Sequence, residues 1–158
     1  MARLIRRART DEAETLLAIQ RSAAVTAFVH IFPQGRYPFP DDAILAAWRD
    51  ALADPNVDVY VAEVDGEVVG SASISDDFLR TLYVLPSHWS RGTGSQLHDF
   101  AIARLRERGC TRAKLWTLEE NHGPRRFYEK RGWYLNGETR VVPFPPNPVD
   151  VGYSLDLA

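Results

Sequence analysis

The sequence predicts an α/β protein of the α+β type, a mixed sheet with helices packed on it. Three observations carry this. The elements follow the order β-α-α-β-β-β-α-β-α-β-β, which is not the strict alternation of a regular doubly wound fold. Asp65-Gly66 joins two runs of strand-forming residues, a strong hairpin signal. Apolar residues recur at helical spacing in stretches that glycine or proline brings to a stop.

In chain order, Arg3 to Arg6 reads as a short strand. Thr10 or Asp11 caps a helix that runs to about Ala24, with Leu16, Leu17 and Ile19 on its apolar side. Val25 to Pro40 is irregular, rich in aromatics (Phe28, Phe32, Tyr37, Phe39) and broken by Pro33, Gly35, Pro38 and Pro40. Asp41 or Asp42 caps a second helix through about Ala53, where Ile44, Leu45 and Trp48 keep helical spacing. Val57 to Val64 alternates as a strand, Glu67 to Ser75 is its return, and Phe78 to Val84 follows the Asp76-Asp77 turn. A helix from about Gly94 to Arg108 ends at Gly109. Thr111 to Leu118 is a strand and Pro124 to Lys130 a short helix with its proline in the first turn. Trp133 to Val142 and Val149 to Leu157 close the sheet around a proline-rich loop, Pro143 to Pro148. No internal repeat, linker or low-complexity segment interrupts this order, so residues 1–158 are expected to form a single domain.

Composition narrows the function classes. Apolar residues make up 45% and charged residues 25%, proportions that suit a soluble globular domain with a full core. No run is long or apolar enough for a membrane span, and the basic start Met1 to Arg7 lacks the apolar stretch of a secretory signal. A cytoplasmic location is the expectation. The single cysteine, Cys110, excludes an internal disulfide and cannot build a metal site alone, so it is read as a structural thiol and no metal is expected. A net charge of −2 argues against general nucleic-acid binding. Charge is uneven, however. Pro38 to Arg80 holds ten Asp/Glu against two Arg, and Pro86 to Trp133 holds ten Lys/Arg against five Asp/Glu. These are either ordinary solvated faces, or a basic half facing a polyanionic ligand and an acidic half facing a cationic one.

The segment Leu82 to Leu97 is the most informative. A strand ends at Val84, a short polar turn follows, and Arg91-Gly92-Thr93-Gly94-Ser95 opens a helix. Two positions without side chains at a helix N-terminus bring the backbone close to a ligand and aim several N–H groups at it. Such a turn suits a phosphate or pyrophosphate, and equally suits a plain helix cap.

About thirty residues further on comes Asn121-His122-Gly123-Pro124-Arg125-Arg126-Phe127-Tyr128-Glu129-Lys130-Arg131-Gly132-Trp133, after a strand and across a short helix. With both segments present, the chain resembles the GCN5-related N-acetyltransferase (GNAT) superfamily. That family pairs a Gln/Arg-x-x-Gly-x-Gly/Ala turn after its fourth strand with an Asn-x-x-Ala-x-x-Phe-Tyr-x-x-x-Gly-Phe segment after its fifth. The resemblance spans Arg3 to Leu157 and implies a mixed, mostly antiparallel sheet of about seven strands flanked by four helices. Trp89 stands where the family often has Gln or Arg, and Pro124 where Ala is usual.

The resemblance also implies roles. The main chain of Leu82, Tyr83 and Val84 pairs with the pantetheine arm of acetyl-CoA, and the Val84 N–H polarises the thioester carbonyl. The N–H groups of Arg91, Gly92, Thr93, Gly94 and Ser95 hold the pyrophosphate. Asn121 hydrogen-bonds the pantetheine, and the Tyr128 hydroxyl protonates the departing thiolate. Acyl transfer from a thioester needs those three things, a polarised carbonyl, an unprotonated nucleophile and a protonated leaving group. Arg125, Arg126, Lys130 and Arg131 are either contacts to the 3′-phosphate or solvated surface.

The implied reaction is direct transfer of acetyl from acetyl-CoA to an amine, with no covalent enzyme intermediate. Glu119, at the end of the fifth strand, is the best-placed candidate base to free the amine, directly or through water, and otherwise reads as a surface carboxylate at a strand end. Glu120, Asp76 and Asp77 are alternatives. His88 and His122 read as loop histidines, His98 as helix surface, and His30 as a residue of the aromatic loop that touches the acceptor. That loop, Val25 to Pro40, is expected to wall the acceptor site. The acceptor is expected to be an amine-bearing small molecule or peptide, with the acidic half hinting at a cationic one. A homodimer is expected by resemblance. The other reading is a non-catalytic acyl-CoA-binding or sensing module; a toxin-type enzyme acting on charged tRNA is disfavoured by the overall acidity.

Overall fold

Seven strands and four helices form in the expected order in the computed structural model, which describes residues 3–157. They are β1 (Arg3–Arg7), α1 (Ala13–Ala27), α2 (Asp41–Ala53), β2 (Val57–Val64), β3 (Glu67–Ser75), β4 (Phe78–Val84), α3 (Thr93–Glu107), β5 (Arg112–Leu118), α4 (His122–Glu129), β6 (Tyr134–Val141) and β7 (Val149–Asp156). Their order in the sheet is β1-β2-β3-β4-β5-β7-β6. Every pairing is antiparallel except that of β4 with β5. The sheet is therefore mixed and mostly antiparallel, as the sequence predicts.

The two faces of the sheet carry separate cores. Along β2, Tyr60 and Ala62 join one cluster while Val57, Val59 and Val61 join the other, because successive side chains leave a strand on opposite faces. The first cluster sits under α3 and α4 and is built on Ile74, Leu97, Leu105, Leu115, Trp133 and Tyr153. The second sits under α1 and α2 and is built on Leu16, Leu17 and Trp48. The Trp48 indole N–H donates to Gln20 across these two helices (2.8 Å).

Helix starts depart from the expectation in an instructive way. Neither Thr10 nor Asp11 caps α1; Glu12 holds that position. Its carboxylate accepts the Arg9 N–H (2.7 Å) and two bonds from the Arg6 guanidinium (2.8 and 2.9 Å), so it ties the helix start to β1. Arg6 holds the Glu12 carboxyl down to about 2, against the cost of burial. α1 also runs on to Ala27, since nothing between Val25 and Ala27 breaks a helix. At α2, Pro40 takes the cap position, and Asp41 and Asp42 lie in the first turn, where their charge complements the exposed N–H groups.

His98 is the clearest correction. It was expected on a helix surface, yet it is buried. The Trp133 indole N–H donates to its Nε2 (3.0 Å), which leaves Nδ1 to face Asp99 (2.9 Å). Burial lowers its pKa below the usual histidine range, so it joins α3 to the chain after α4 as a neutral ring.

The pairing that positions the site is the weakest in the sheet. β4 and β5 are registered only at Phe78 with Lys114. Beyond that point the strands separate and a gap opens toward Val84 and Leu118.

Candidate active site

Strand register decides which backbone groups face the gap. Gly70 lies opposite Val84, and the Leu85 N–H donates to the Val69 carbonyl (2.8 Å). That bond makes Gly70–Val84 a non-hydrogen-bonded pair, so the N–H and C=O of Val84 turn away from β3 and toward the gap. The Trp89 indole confirms the direction, because its N–H donates to the Val84 carbonyl (2.7 Å). Leu82 lies two residues before Val84 on the same side of the strand, opposite Ala72, and its main chain turns to the gap as well. Tyr83, between them, spends its main chain on β3 opposite Ser71.

The glycine turn stands at one end of the gap. Ser90 (φ 61°) and Gly92 (φ 85°) are both left-handed, which folds the backbone sharply around Arg91. Thr93 then begins α3 with no side chain capping its first turn. The first N–H groups of a helix have no partner within it, so this end is an uncapped cradle for an anion. At Gly94 an added Cβ would make only ordinary contacts with Phe127 and Val84, none closer than 3.8 Å, so packing alone does not require glycine there. Arg3 reaches across from β1 and braces the turn, donating to the Arg91 carbonyl (2.8 Å) and to Gln96 (2.9 Å).

The Asn121–Trp133 segment lies beside the gap. Asn121 is buried, and no protein group among the described residues bonds its carboxamide. Tyr128 is buried between Phe127 and Trp133, with ring centroids 5.3 and 5.9 Å away. Burial pushes its phenol well above the usual tyrosine range and pushes Tyr83 up to about 12, with the Asp150 charge adding to the shift at Tyr83. Both phenols stay protonated at neutral pH. Arg125 turns inward, donating to Tyr153 (2.9 Å) and to the Glu119 carbonyl (2.8 Å). Arg131 lies 3.6 Å from the centre of the Phe127 ring and bonds Ser95 Oγ.

One cavity of about 1730 Å³ joins these parts. It is lined by Leu82, Tyr83, Val84, Gly92, Gly94, Ser95, Asn121 and Tyr128, and also by Arg126, Lys130 and Arg131. Arg91 and Thr93 are absent from the lining; Arg91 is exposed and the Thr93 side chain is buried beneath the turn. Glu119 is absent too: its carboxylate is exposed at the end of β5. The carboxylate that lines the cavity is Asp150, opposite Leu118 on β7, buried and bonded by Arg140 Nε (3.0 Å). Sequence reasoning passed over Asp150, since only strand pairing brings it to the gap. His30 also lines the cavity and bonds the Glu120 carbonyl (2.9 Å), which pins the α1–α2 segment across the end of β5.

Among the described residues no group of three or more His, Cys, Asp or Glu could hold a metal ion, and no helix is long and apolar enough to cross a membrane.

An open seven-stranded mixed sheet, with a gap between its parallel pair and an uncapped helix start at one end, is the α/β arrangement that the two sequence motifs imply. The chain matches the acetyltransferase (GNAT) family over residues 14–133 and belongs to that family. It is 28% identical over 134 residues to an uncharacterised N-acetyltransferase of Mycobacterium tuberculosis, covering 81% of this chain and 86% of that one. It is 33% identical over 101 residues to the aminoalkylphosphonate N-acetyltransferase of Salmonella typhimurium, covering 55% and 66%. Its fold is similar to that of the PaiA N-acetyltransferase of Thermoplasma acidophilum, solved in complex with coenzyme A, with a TM-score of 0.77, 17% identity and 99% of each chain covered.

Proposed function

We propose that this single domain transfers an acetyl group from acetyl-CoA directly to an amine. The observation that carries the reading is the pair of unengaged donors on one gap, the Val84 N–H and the Tyr128 hydroxyl. The uncapped start of α3, with Gly92, Gly94 and Ser95 lining the cavity, fits a pyrophosphate. Arg126 and Lys130 offer charge for a further phosphate. A structure similar to this fold was solved with coenzyme A, and a relative is named for acetylation of an aminoalkylphosphonate.

Bound acetyl-CoA supplies an activated acyl thioester. The N–H groups from Arg91 to Ser95, at and just before the start of α3, hold its pyrophosphate, and the Asn121 carboxamide holds its pantetheine amide. Val84 N–H donates to the acyl oxygen, where negative charge develops as the amine nitrogen bonds the acyl carbon. The carbon–sulfur bond breaks and Tyr128 gives its proton to the sulfur. The raised phenol pKa keeps the group protonated when the thiolate departs, at the cost of a weaker drive for the proton transfer itself. The amine proton passes to a carboxylate at the strand ends. Glu119 takes it through water from outside the cavity, or Asp150 takes it from within; position favours Asp150.

The test is mass-spectrometric detection of acetylated product when the purified protein, acetyl-CoA and a library of primary amines are mixed, with release of free thiol followed in parallel. Acetamide formed in step with free thiol is the expected result. Tight acetyl-CoA binding with no acetamide from any amine would overturn the reading in favour of a sensing module.

A further inference from the structure

Sequence charge hints at a cationic acceptor, but the cavity is lined otherwise. None of the ten acidic residues between Pro38 and Arg80 lines it. Asp41 pairs with Arg21, Asp58 with Arg7 and Arg108, and Glu63 with Arg6. Asp150 is the one carboxylate among the described residues that lines the cavity, and Arg140 already neutralises it.

The cations at this end are less engaged. Arg140 lies over the Trp116 ring, 4.5 Å from its centre, and only its Nε is used by Asp150. Both terminal nitrogens have no hydrogen-bond partner among the described residues. Arg80 lines the cavity from β4 and has neither a hydrogen bond nor an ion pair among the described residues. Register explains its placement. Ser73 lies opposite Thr81 and Ile74 opposite Leu79, which leaves Arg80 as the extra residue of a β-bulge. Bulges re-aim a side chain out of the strand's alternation.

These two arginines belong to the acceptor side. Arg140 and Asp150 face each other across β6 and β7, beyond β5 from β4 in the sheet order, and Tyr83 feels the Asp150 charge. The cations near the coenzyme, Arg126, Lys130 and Arg131, come instead from α4 and the residues just after it.

We propose that the acceptor carries an acidic group beside its amine, and that Arg80 and Arg140 bind that group. This rests on the acetyltransferase reading. A guanidinium offers paired donors that match a carboxylate, phosphonate or phosphate. Trp116 holds the Arg140 plane and Asp150 fixes its Nε edge, so the outer edge is presented for such a group. A simple alkylamine would enter as a cation and meet two arginines, with only Asp150, already paired with Arg140, against them.

Initial rates with matched acceptors test this: β-alanine, 3-aminopropylphosphonate and propylamine, then phenylalanine and phenethylamine. We expect kcat/KM for the acid-bearing member to exceed that of its acid-free partner by about 100-fold. The carboxylate and phosphonate arms show which acid is preferred. Arg80→Met and Arg140→Met should each shrink the preference by about 10- to 100-fold, with the acetyl-CoA Kd held within about twofold. Arg140→Lys should restore part of it, and Arg80→Met, at an exposed bulge, keeps the test open if the Arg140 variant misfolds. Equal rates for both members of a pair, or an undiminished preference in Arg80→Met, would overturn this inference and leave the acetyltransferase reading standing. Transfer to no amine at all, with acetyl-CoA bound, would overturn both.

Discussion

The two ends of the cavity are built from different materials. The end proposed for the coenzyme is largely main chain: Leu82 and Val84 on β4 and the first turn of α3, with Asn121 and Tyr128 from one short segment. The end proposed for the acceptor is side chains from distant places: His30 before α2, Arg80 at a bulge, Trp116 on β5, Arg140 and Asp150 on β6 and β7. Main-chain donors persist through substitution as long as the turn and the strands persist. Side chains change one at a time. A fold made this way keeps its main-chain site while the side chains facing it change.

The largest effect should come from putting charge into the main-chain cradle. Gly94→Glu has room for its Cβ, with the nearest atom at 3.8 Å, so the fold should survive. Its carboxylate would then share the cradle with the pyrophosphate, and acetyl-CoA affinity should fall on the order of 1000-fold by calorimetry. An unchanged Kd would show that the cradle is only a helix start. Next in size, Tyr128→Phe should lower kcat about 100-fold while the acetyl-CoA Kd holds. Because the phenol is pushed well above the usual tyrosine range, the wild-type rate should show no loss from this group between pH 8 and 10. A kcat in Tyr128→Phe equal to wild type would remove it as the acid.

How much of each end was legible follows from the same division. Strands β2 to β4 and the glycine turn lie in contiguous sequence, and their hairpin and helix-start signals are local. Asn121 and Tyr128 sit seven residues apart on one segment and were readable together. The acceptor end has no such locality. Asp150 and Arg140 meet only through the β6–β7 register, and Arg80 turns inward only because the β3–β4 register slips by one. Counting charge along the chain pointed to an acidic acceptor wall, since the count cannot show that those carboxylates are spent on arginines or left on the outside. His98 failed for a related reason: its partner, Trp133, is 35 residues away.

A smaller effect concerns the anchoring of α1 to the sheet. Glu12 ties α1 to β1, and its folded pKa of about 2 lies below the ordinary value of 4.5. Its stabilisation is therefore complete above about pH 4.5 and lost as pH falls toward 2. The full difference is about 3 kcal/mol, and Glu12→Gln should flatten the stability profile across that window in denaturant titrations. A profile as steep as wild type would place the acid sensitivity elsewhere.

The smallest expected effect falls on the border between the two ends. Trp89 stands where the family often has Gln or Arg, and its indole bonds the Val84 carbonyl at 2.7 Å, fixing the strand end beside the acyl oxygen site. Trp89→Phe keeps the ring and removes one neutral hydrogen bond, a loss of about 1 kcal/mol. The acetyl-CoA Kd should weaken about fivefold, with acceptor KM unmoved. If acceptor KM shifts instead, the strand end serves both substrates and the division at Val84 is not sharp. If the Kd tightens, the indole competes with the coenzyme for that carbonyl, and the main-chain end is then regulated by a side chain after all.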